Sequence, residues 1–279
     1  MTYSTAYSRD LGDELRLIRE TSTSLHGRAM AVQLGWDPSK VSNLEHGKAR
    51  ASAGDIIQYL SVCGKNLDYI DAFQARYRHA FDPYLAQMPE NLRTLMMAEA
   101  MATKITWVET TTAPGLVQTA EYADALYRKA GLVAPEKIAA CVQCRMDRQS
   151  ILLRPRRPDI RIYVLERALQ TYVGDNKIME EQYLRMLFHT HVLRIVPDDS
   201  IILTAGCALL EFEKAHSVAY TDSELAQVFA QDSAAVGQVT RLFQRLDALA
   251  LDQEQSKRKL MEYISRLRGD SNGAGTDLA

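Results

Sequence analysis

No uninterrupted apolar run in this 279-residue chain approaches the roughly 20 residues that cross a bilayer. Its opening stretch, MTYSTAYSRDLGDEL, lacks a basic start followed by an apolar core, so it does not read as a secretory signal, and a cytoplasmic protein is the expectation. Cysteine is scarce. Four thiols, Cys63, Cys141, Cys144 and Cys207, sit in apolar or helical surroundings, which fits reduced cysteines and argues against a disulfide framework. Neither sign of charge dominates: 33 Lys plus Arg oppose 35 Asp plus Glu, so attraction to a polyanion cannot rest on bulk charge and needs a local basic surface.

Motifs for covalent and nucleotide chemistry are missing as well. There is no GxSxG, no GxxxxGK followed by Ser or Thr, and no GxGxxG after a strand. Cys141-Val142-Gln143-Cys144 is a CxxC without a second pair, and its spacing reads better as helix cysteines facing a core than as a metal site. His189 and His191 are distant from it and project oppositely in a strand. Glu109, Glu121, Glu166 and Glu211 read as fold-stabilising partners of Arg145, Arg148 and Arg167 rather than as paired catalytic acids. An enzyme is therefore not expected, nor a catalytic residue, cofactor or metal.

The informative stretch is Leu25 to Arg50. Leu25, Met30 and Leu34 recur at helical spacing around the small Ala31, and Gly35 supplies a stop. Asp37 is a good N-cap and Pro38 suits the first helical position, so a second helix is predicted from Pro38 to about His46, ending at Gly47. On it Val41 and Leu44 can face inward, leaving Ser39, Lys40, Ser42 and Asn43 outward. Around this pair, Leu11 to about Thr21 carries an apolar stripe of Leu11, Leu15 and Ile18. Ser52 can cap a fourth helix with Ile56, Ile57, Leu60 and Cys63, and a fifth is predicted from Leu67 to His79. Two short helices joined by a tight turn, inside a five-helix bundle, result.

This stretch resembles the helix-turn-helix of the Xre and phage-repressor family, in the order Ala31, Leu34-Gly35, Trp36-Asp37-Pro38, then Ser39-Lys40-Val41-Ser42-Asn43-Leu44-Glu45-His46-Gly47. One departure is His26, where the family has Ser or Thr capping the first of the two helices. The resemblance implies double-stranded DNA as partner. It assigns base contacts to Ser39, Lys40, Ser42 and Asn43, since Asn can pair bidentately with adenine and Lys prefers guanine. Arg9, Arg16, Arg19, Arg28, Lys48 and Arg50 are candidates for phosphate contact, with Arg28, Lys48 and Arg50 ranked first by docking geometry. Glu45 is expected to make an internal contact, because a carboxylate facing phosphates would be repelled.

Beyond the bundle, Pro83 and Pro89 interrupt helical continuity, and residues 81–88 read as a linker. Helices are then predicted for Pro89 to Ala102, Thr119 to Lys129, Pro135 to Leu152, Glu166 to Tyr172, Lys177 to Thr190, Ser223 to Leu249 and Gln253 to Arg268. Strands are predicted near Ile105 to Thr110, Ile160 to Leu165, Val192 to Val196, Cys207 to Phe212 and Ser217 to Tyr220. Gly269 to Ala279 reads as a disordered tail. The expected fold is mainly α with a smaller β component: residues 1–80 a repressor-like bundle, 81–88 a linker, 89–268 a mixed α+β domain, 269–279 the tail.

The second region also resembles a family. Trp107, Pro114-Gly-Leu-Val-Gln-Thr-x-x-Tyr122, Arg145-Met-Asp-Arg-Gln149, Leu165-Glu166, Val173-Gly174, Arg194-Ile-Val-Pro197 and Ala208-Leu-Leu-Glu-Phe212 look like DUF5753, a domain of unknown function that follows an Xre-type helix-turn-helix in many actinobacterial regulators. The combined resemblance implies a homodimeric, sequence-specific transcriptional regulator whose second domain dimerises and responds to a protein or small-molecule signal. The alternative is an antitoxin-like interaction protein that holds a small partner protein, with DNA binding secondary. Leu242, Leu246, Leu249 and Leu260 on the last helices are open to either a dimer surface or an internal core, and Trp107, Tyr122, Tyr163 and Phe212 to either a pocket or a core, the core favoured.

Overall fold

The computed structural model describes residues 4–88, 92–199, 204–223 and 225–273, with side chains to residue 269. Five helices form the N-terminal bundle: α1 (Ala6–Ser22), α2 (Gly27–Leu34), α3 (Pro38–Glu45), α4 (Ala53–Val62) and α5 (Leu67–Tyr77). α1 starts earlier than its apolar stripe predicts, because Thr5 and Ser8 close a reciprocal capping box ahead of Leu11. Leu11, Leu15, Met30, Tyr59, Leu60 and Phe73 are fully buried inside the bundle.

The remainder is one seven-stranded sheet flanked by helices, in the order β1-β7-β6-β5-β2-β3-β4. Its strands are β1 (Tyr84–Gln87), β2 (Lys104–Glu109), β3 (Asp159–Leu165), β4 (Leu193–Val196), β5 (Cys207–Glu211), β6 (Val218–Asp222) and β7 (Gln227–Ala230). β2, β3 and β4 run parallel, joined by helical crossovers, while β1, β7, β6, β5 and β2 are antiparallel neighbours. The helices are α6 (Arg93–Met101), α7 (Ala120–Ala130), α8 (Pro135–Arg148), α9 (Glu166–Gln170), α10 (Asn176–Phe188), α11 (Ser233–Leu249) and α12 (Gln253–Gly273). The α+β class is as the sequence implies.

Two elements differ from the sequence reading. Residues 81–88 carry β1, which pairs antiparallel with β7, Tyr84 opposite Ala230 and Gln87 opposite Gln227. The first part of the helix expected from Ser223 is β7 itself, and α11 begins only at Ser233, behind the Asp232 cap. Each strand is four residues long, too short for alternation to register; β1 depends on β7 across some 140 positions of sequence, while β7 also pairs with β6. The start of the helix expected from Pro89 lies partly outside the described residues, at 89–91, and α12 continues to Gly273, past the expected boundary, with 274–279 outside them.

The sheet separates two apolar layers. On one face Val108, Tyr163, Leu165 and Leu209 pack against Phe243 and Leu246 of α11. On the other, Ile105, Trp107, Ile162 and Tyr220 belong to a cluster that continues without a break through Leu95 of α6 into Leu11, Leu15 and Tyr59 of the bundle. Leu246 and Leu260 are wholly buried in these layers, which settles both as core rather than contact surface. Trp107, Tyr122 and Tyr163 are buried as well. Among the described residues, no helix is long and apolar enough to cross a membrane.

Candidate nucleic-acid interface

The helix-turn-helix is fixed at each end by its own caps. His26 stands at the N-cap of α2, and its Nδ1 accepts from the Ala29 amide at 3.2 Å, so the imidazole does the work of the expected hydroxyl. Gly35 ends α2 in the left-handed region, at φ 67°, where a side chain would be strained. Asp37 Oδ1 accepts from the Ser39 amide at 2.7 Å and starts α3 at Pro38. From there Val41 and Leu44 turn inward and are buried, and Ser39, Lys40 and Ser42 are exposed. Asn43 is half-buried, on the side of the helix nearer the following loop.

Ser39, Lys40, Asn43 and Arg50 come together with Asp55 around a notch of about 230 Å³ between α3, the loop after it and the start of α4. Lys40 is held at two points. Its Nζ bonds Asp55 Oδ1 at 2.6 Å and lies 4.1 Å above the Trp36 ring. Arg50 lies 5.4 Å over Phe81 and 3.8 Å from Asp82. Arg28 and Lys48 are exposed at the entry to α2 and in the loop after α3. The sequence contained Trp36 and Asp55 but no periodic or spacing signal that joins them to Lys40, since the contact spans fifteen residues and a turn.

Three of the arginines proposed for phosphate contact behave differently. Arg9 is buried, and its guanidinium lies 4.8 Å from the centroid of Phe212, at the end of β5, where burial pushes its pKa down to about 10. Arg19 is buried too, with Nε and Nη2 donating to Glu45 at 2.7 and 2.8 Å, a bond that raises its pKa further. Neither can reach a phosphate in this arrangement. Arg16 is partly exposed but engaged with Asp13 and Glu20 on its own helix. Glu45 makes the internal contact expected of it, and also accepts from the Tyr59 hydroxyl at 2.6 Å.

A second polar group lies away from this surface, where β2 ends. Arg148 donates Nε and Nη2 to Glu99 of α6, at 2.7 to 3.1 Å, and sits 4.9 Å over Trp107. Trp107 donates Nε1 to Glu109 at 2.8 Å. Burial, opposed by that bond and aided by Asp222, raises Glu109 to about 7. Arg145 donates to Gln118 at 2.6 Å, and Gln118 to the carbonyl of Ala113. The acid paired with Arg148 is thus Glu99, not one of the four acids expected; Glu166 meets Lys259 and Tyr263, and Glu211 meets Lys104. Segments far apart in sequence, Trp107, Pro114 to Tyr122 and Arg145 to Gln149, converge here.

Comparison with known proteins agrees with this division. Residues 10–72 match a helix-turn-helix domain, which points to a DNA-binding regulator and to no catalytic family, and residues 92–262 match the domain of unknown function DUF5753. No curated protein and no solved structure matches the chain. Because the second match covers more than half of the residues, the chain belongs to the DUF5753 family, with a helix-turn-helix domain ahead of the family's own.

Proposed function

We propose that this chain is a cytoplasmic, sequence-specific transcriptional regulator of the Xre type that binds operator DNA as a homodimer. Its C-terminal domain pairs two copies and passes a protein or small-molecule signal to the DNA-binding bundle. The observation that carries the reading is the outward row on α3: Ser39, Lys40 and Ser42 exposed and Asn43 half-buried, on a helix rigidly capped at Asp37 and backed by buried Val41 and Leu44. A helix so presented can enter a major groove and read base edges. Arg28, Lys48 and Arg50 flank that row as phosphate contacts.

Two copies are needed because one eight-residue helix reads few base pairs, whereas two-fold half-sites one DNA turn apart add their recognition free energies. Signal response is supported by a continuous path. α6 pairs Glu99 with Arg148 at the end of the sheet and gives Arg93 and Thr94 to Asp10 on α1, and α1 touches the end of α3 through Gly12.

Band shift on the DNA upstream of the chain's own gene tests the reading. Lys40→Ala and Asn43→Ala are each expected to lose roughly tenfold or more in affinity, in line with about 1–3 kcal/mol per base contact. Folded variants that bind as tightly as the parent would overturn it. A full-length chain that retains a small protein through purification but shows no salt-sensitive DNA affinity would favour the interaction-protein alternative.

A further inference from the structure

The polar group where β2 ends contains three side chains whose hydrogen-bonding capacity is not used up among the described residues. Tyr220, on β6, is 2% exposed, packs 5.6 Å from Trp107 and 4.9 Å from Phe229, and its buried hydroxyl has no hydrogen-bond partner there. That hydroxyl lies in the field of Asp222, Arg148, Glu99 and Glu109. Arg148 commits Nε and Nη2 to Glu99, which leaves Nη1. Glu109 takes the Trp107 indole on Oε1, which leaves Oε2. A buried hydroxyl without a partner costs on the order of 1–3 kcal/mol, so a group from outside the chain, water or a ligand, has to meet it.

Each of the two charged atoms has a glycine beside it, and a methyl group there would come to ordinary contact distance. A Cβ on Gly206 would stand 3.4 Å from Glu109 Oε2, and one on Gly115 3.7 Å from Arg148 Nη1. Neither glycine has a positive φ, so neither is required by backbone conformation. What they share is that any side chain at either position would occupy the volume next to an uncommitted polar atom.

The chemistry of the occupant follows from the signs of these groups. A guanidinium nitrogen asks for an anionic acceptor, and a carboxylate oxygen asks for a cationic or hydrogen-bond donor. A simple anion would meet Arg148 but face Glu109 and Asp222; a simple cation would meet the acids but face Arg145 and Arg148. A molecule bearing both groups satisfies each. It must also be small, since Arg148 and Glu109 both touch the same indole.

We propose that the end of β2 is a binding site for a small amphoteric ligand of the amino-acid class, with its carboxylate on Arg148 Nη1, its ammonium on Glu109 Oε2 and the Tyr220 hydroxyl bonded between them. The site rests on the signal response proposed above and supplies its chemical identity. A ligand carboxylate on Nη1 would share the Arg148 guanidinium with Glu99, and Glu99 stands on the helix that holds Asp10 of the DNA-binding bundle.

The probe is the set of standard free amino acids, each at millimolar concentration, titrated into the full-length chain. Trp107 and Trp36 are the two tryptophans, so a Trp36→Phe background makes Trp107 emission the readout, with thermal shift of the parent chain in parallel. At least one amino acid is expected to change Trp107 emission saturably and raise the melting temperature. Glu109→Gln and Gly206→Ala, each folded by circular dichroism, are expected to weaken that response at least tenfold. Gly206→Ala keeps every charge, so its loss reports occupied space rather than altered folding. No response to any amino acid in the parent chain overturns the assignment, and so does a response that survives both variants. Band shift without ligand is run alongside: DNA binding without an amino-acid response sinks the site alone, and the converse sinks the regulator reading alone.

Discussion

Thr94 donates its hydroxyl to Asp10 Oδ2 at 2.7 Å, joining the first helix of the C-terminal domain to the first helix of the DNA-binding bundle. Arg93 engages the other Asp10 oxygen, and both Asp10 and Thr94 are buried. Asp10→Ala leaves these donors without their shared acceptor. Thr94 keeps Gln87 as an acceptor and Arg93 keeps Asp13, so the loss should be about 1 kcal/mol, the ordinary net worth of such a bond. Urea denaturation followed by two probes, tryptophan emission and far-ultraviolet circular dichroism, is expected to show coincident transitions in the parent and separated ones in the variant. Coincident transitions at unchanged midpoint would show that the two units are joined by the apolar layer alone.

Arg19 and Glu45 make a buried, two-pronged ion pair that ties α1 to the end of α3, with Tyr59 as a third member. Glu45→Ala leaves the Arg19 guanidinium buried with the Leu25 carbonyl oxygen as a remaining acceptor. Breaking one partner of a buried pair costs on the order of 3–5 kcal/mol, so this variant should lose much of the bundle's stability. Glu45→Gln keeps the shape and one acceptor and should lose less. The ordering of the two midpoints in urea checks the assignment; equal midpoints would contradict it.

Gly12 and Gly47 let α1 and the end of α3 approach to backbone contact. A Cβ on Gly47 would lie 2.1 Å from the Ser8 carbonyl oxygen, and one on Gly12 2.6 Å from the Gly47 nitrogen, with backbone on both sides and nothing flexible to yield. Gly47 also stands at φ 60°, where an L side chain is strained. Gly47→Ala is therefore expected to prevent stable folding of the bundle, and Gly12→Ala to lower its melting temperature by several degrees or more. Gly35→Ala, with open space around it, should cost only about 1 kcal/mol of left-handed strain. Melting of the three variants side by side checks the order.

How far the sequence anticipates this structure depends on how far apart the interacting residues lie. Asp37, Pro38, Gly35 and Ser52 act within one helical turn, and each cap falls where the residue type places it. β1 is a strand through its pairing with β7, and no local pattern reports a partner so far along the chain. The same holds at the site. Outward Ser39, Lys40 and Ser42 follow from helical periodicity, but the Asp55 and Trp36 contacts of Lys40 do not. Arg9 reads as a surface arginine because it precedes the predicted apolar stripe, and Arg19 because it lies off that stripe; their ring and acceptor, Phe212 and Glu45, come from other elements.

Glu109 makes stability depend on pH in the direction opposite to a salt-bridged acid. Its pKa is raised to about 7 by burial, with Asp222 adding and Trp107, Arg145 and Arg148 opposing, against an ordinary value of 4.5. The folded chain therefore holds this proton more tightly than the unfolded chain, and stability falls as pH rises between those two values. Above the window the native state carries an unfavourable buried carboxylate. Glu109→Gln removes the titration, so its urea midpoint relative to the parent's should rise from pH 5 to pH 8. A difference between the two proteins that does not change with pH would show that Glu109 titrates normally.

Lys40 lies at the notch beside α3 already paired with Asp55, and this sets it apart from the exposed Arg28 and Lys48. Arg28→Ala and Lys48→Ala each remove one exposed cation that the proposed function places on a phosphate. They should weaken operator and random DNA alike and flatten the dependence of log affinity on log salt by about 1 for each phosphate left without its cation. Asp55→Asn keeps an acceptor for the Ser52 amide but removes a negative charge from beside α3. With Lys40 released, affinity for random DNA should rise and the salt dependence steepen, so the ratio of operator to random binding falls. On the proposed regulator reading, the acid would act as a filter, lowering the general attraction of the surface so that Asn43 and its neighbours decide where the helix stays. Unchanged random-DNA affinity in Asp55→Asn, measured at two salt concentrations, would show instead that Asp55 serves only to cap α4.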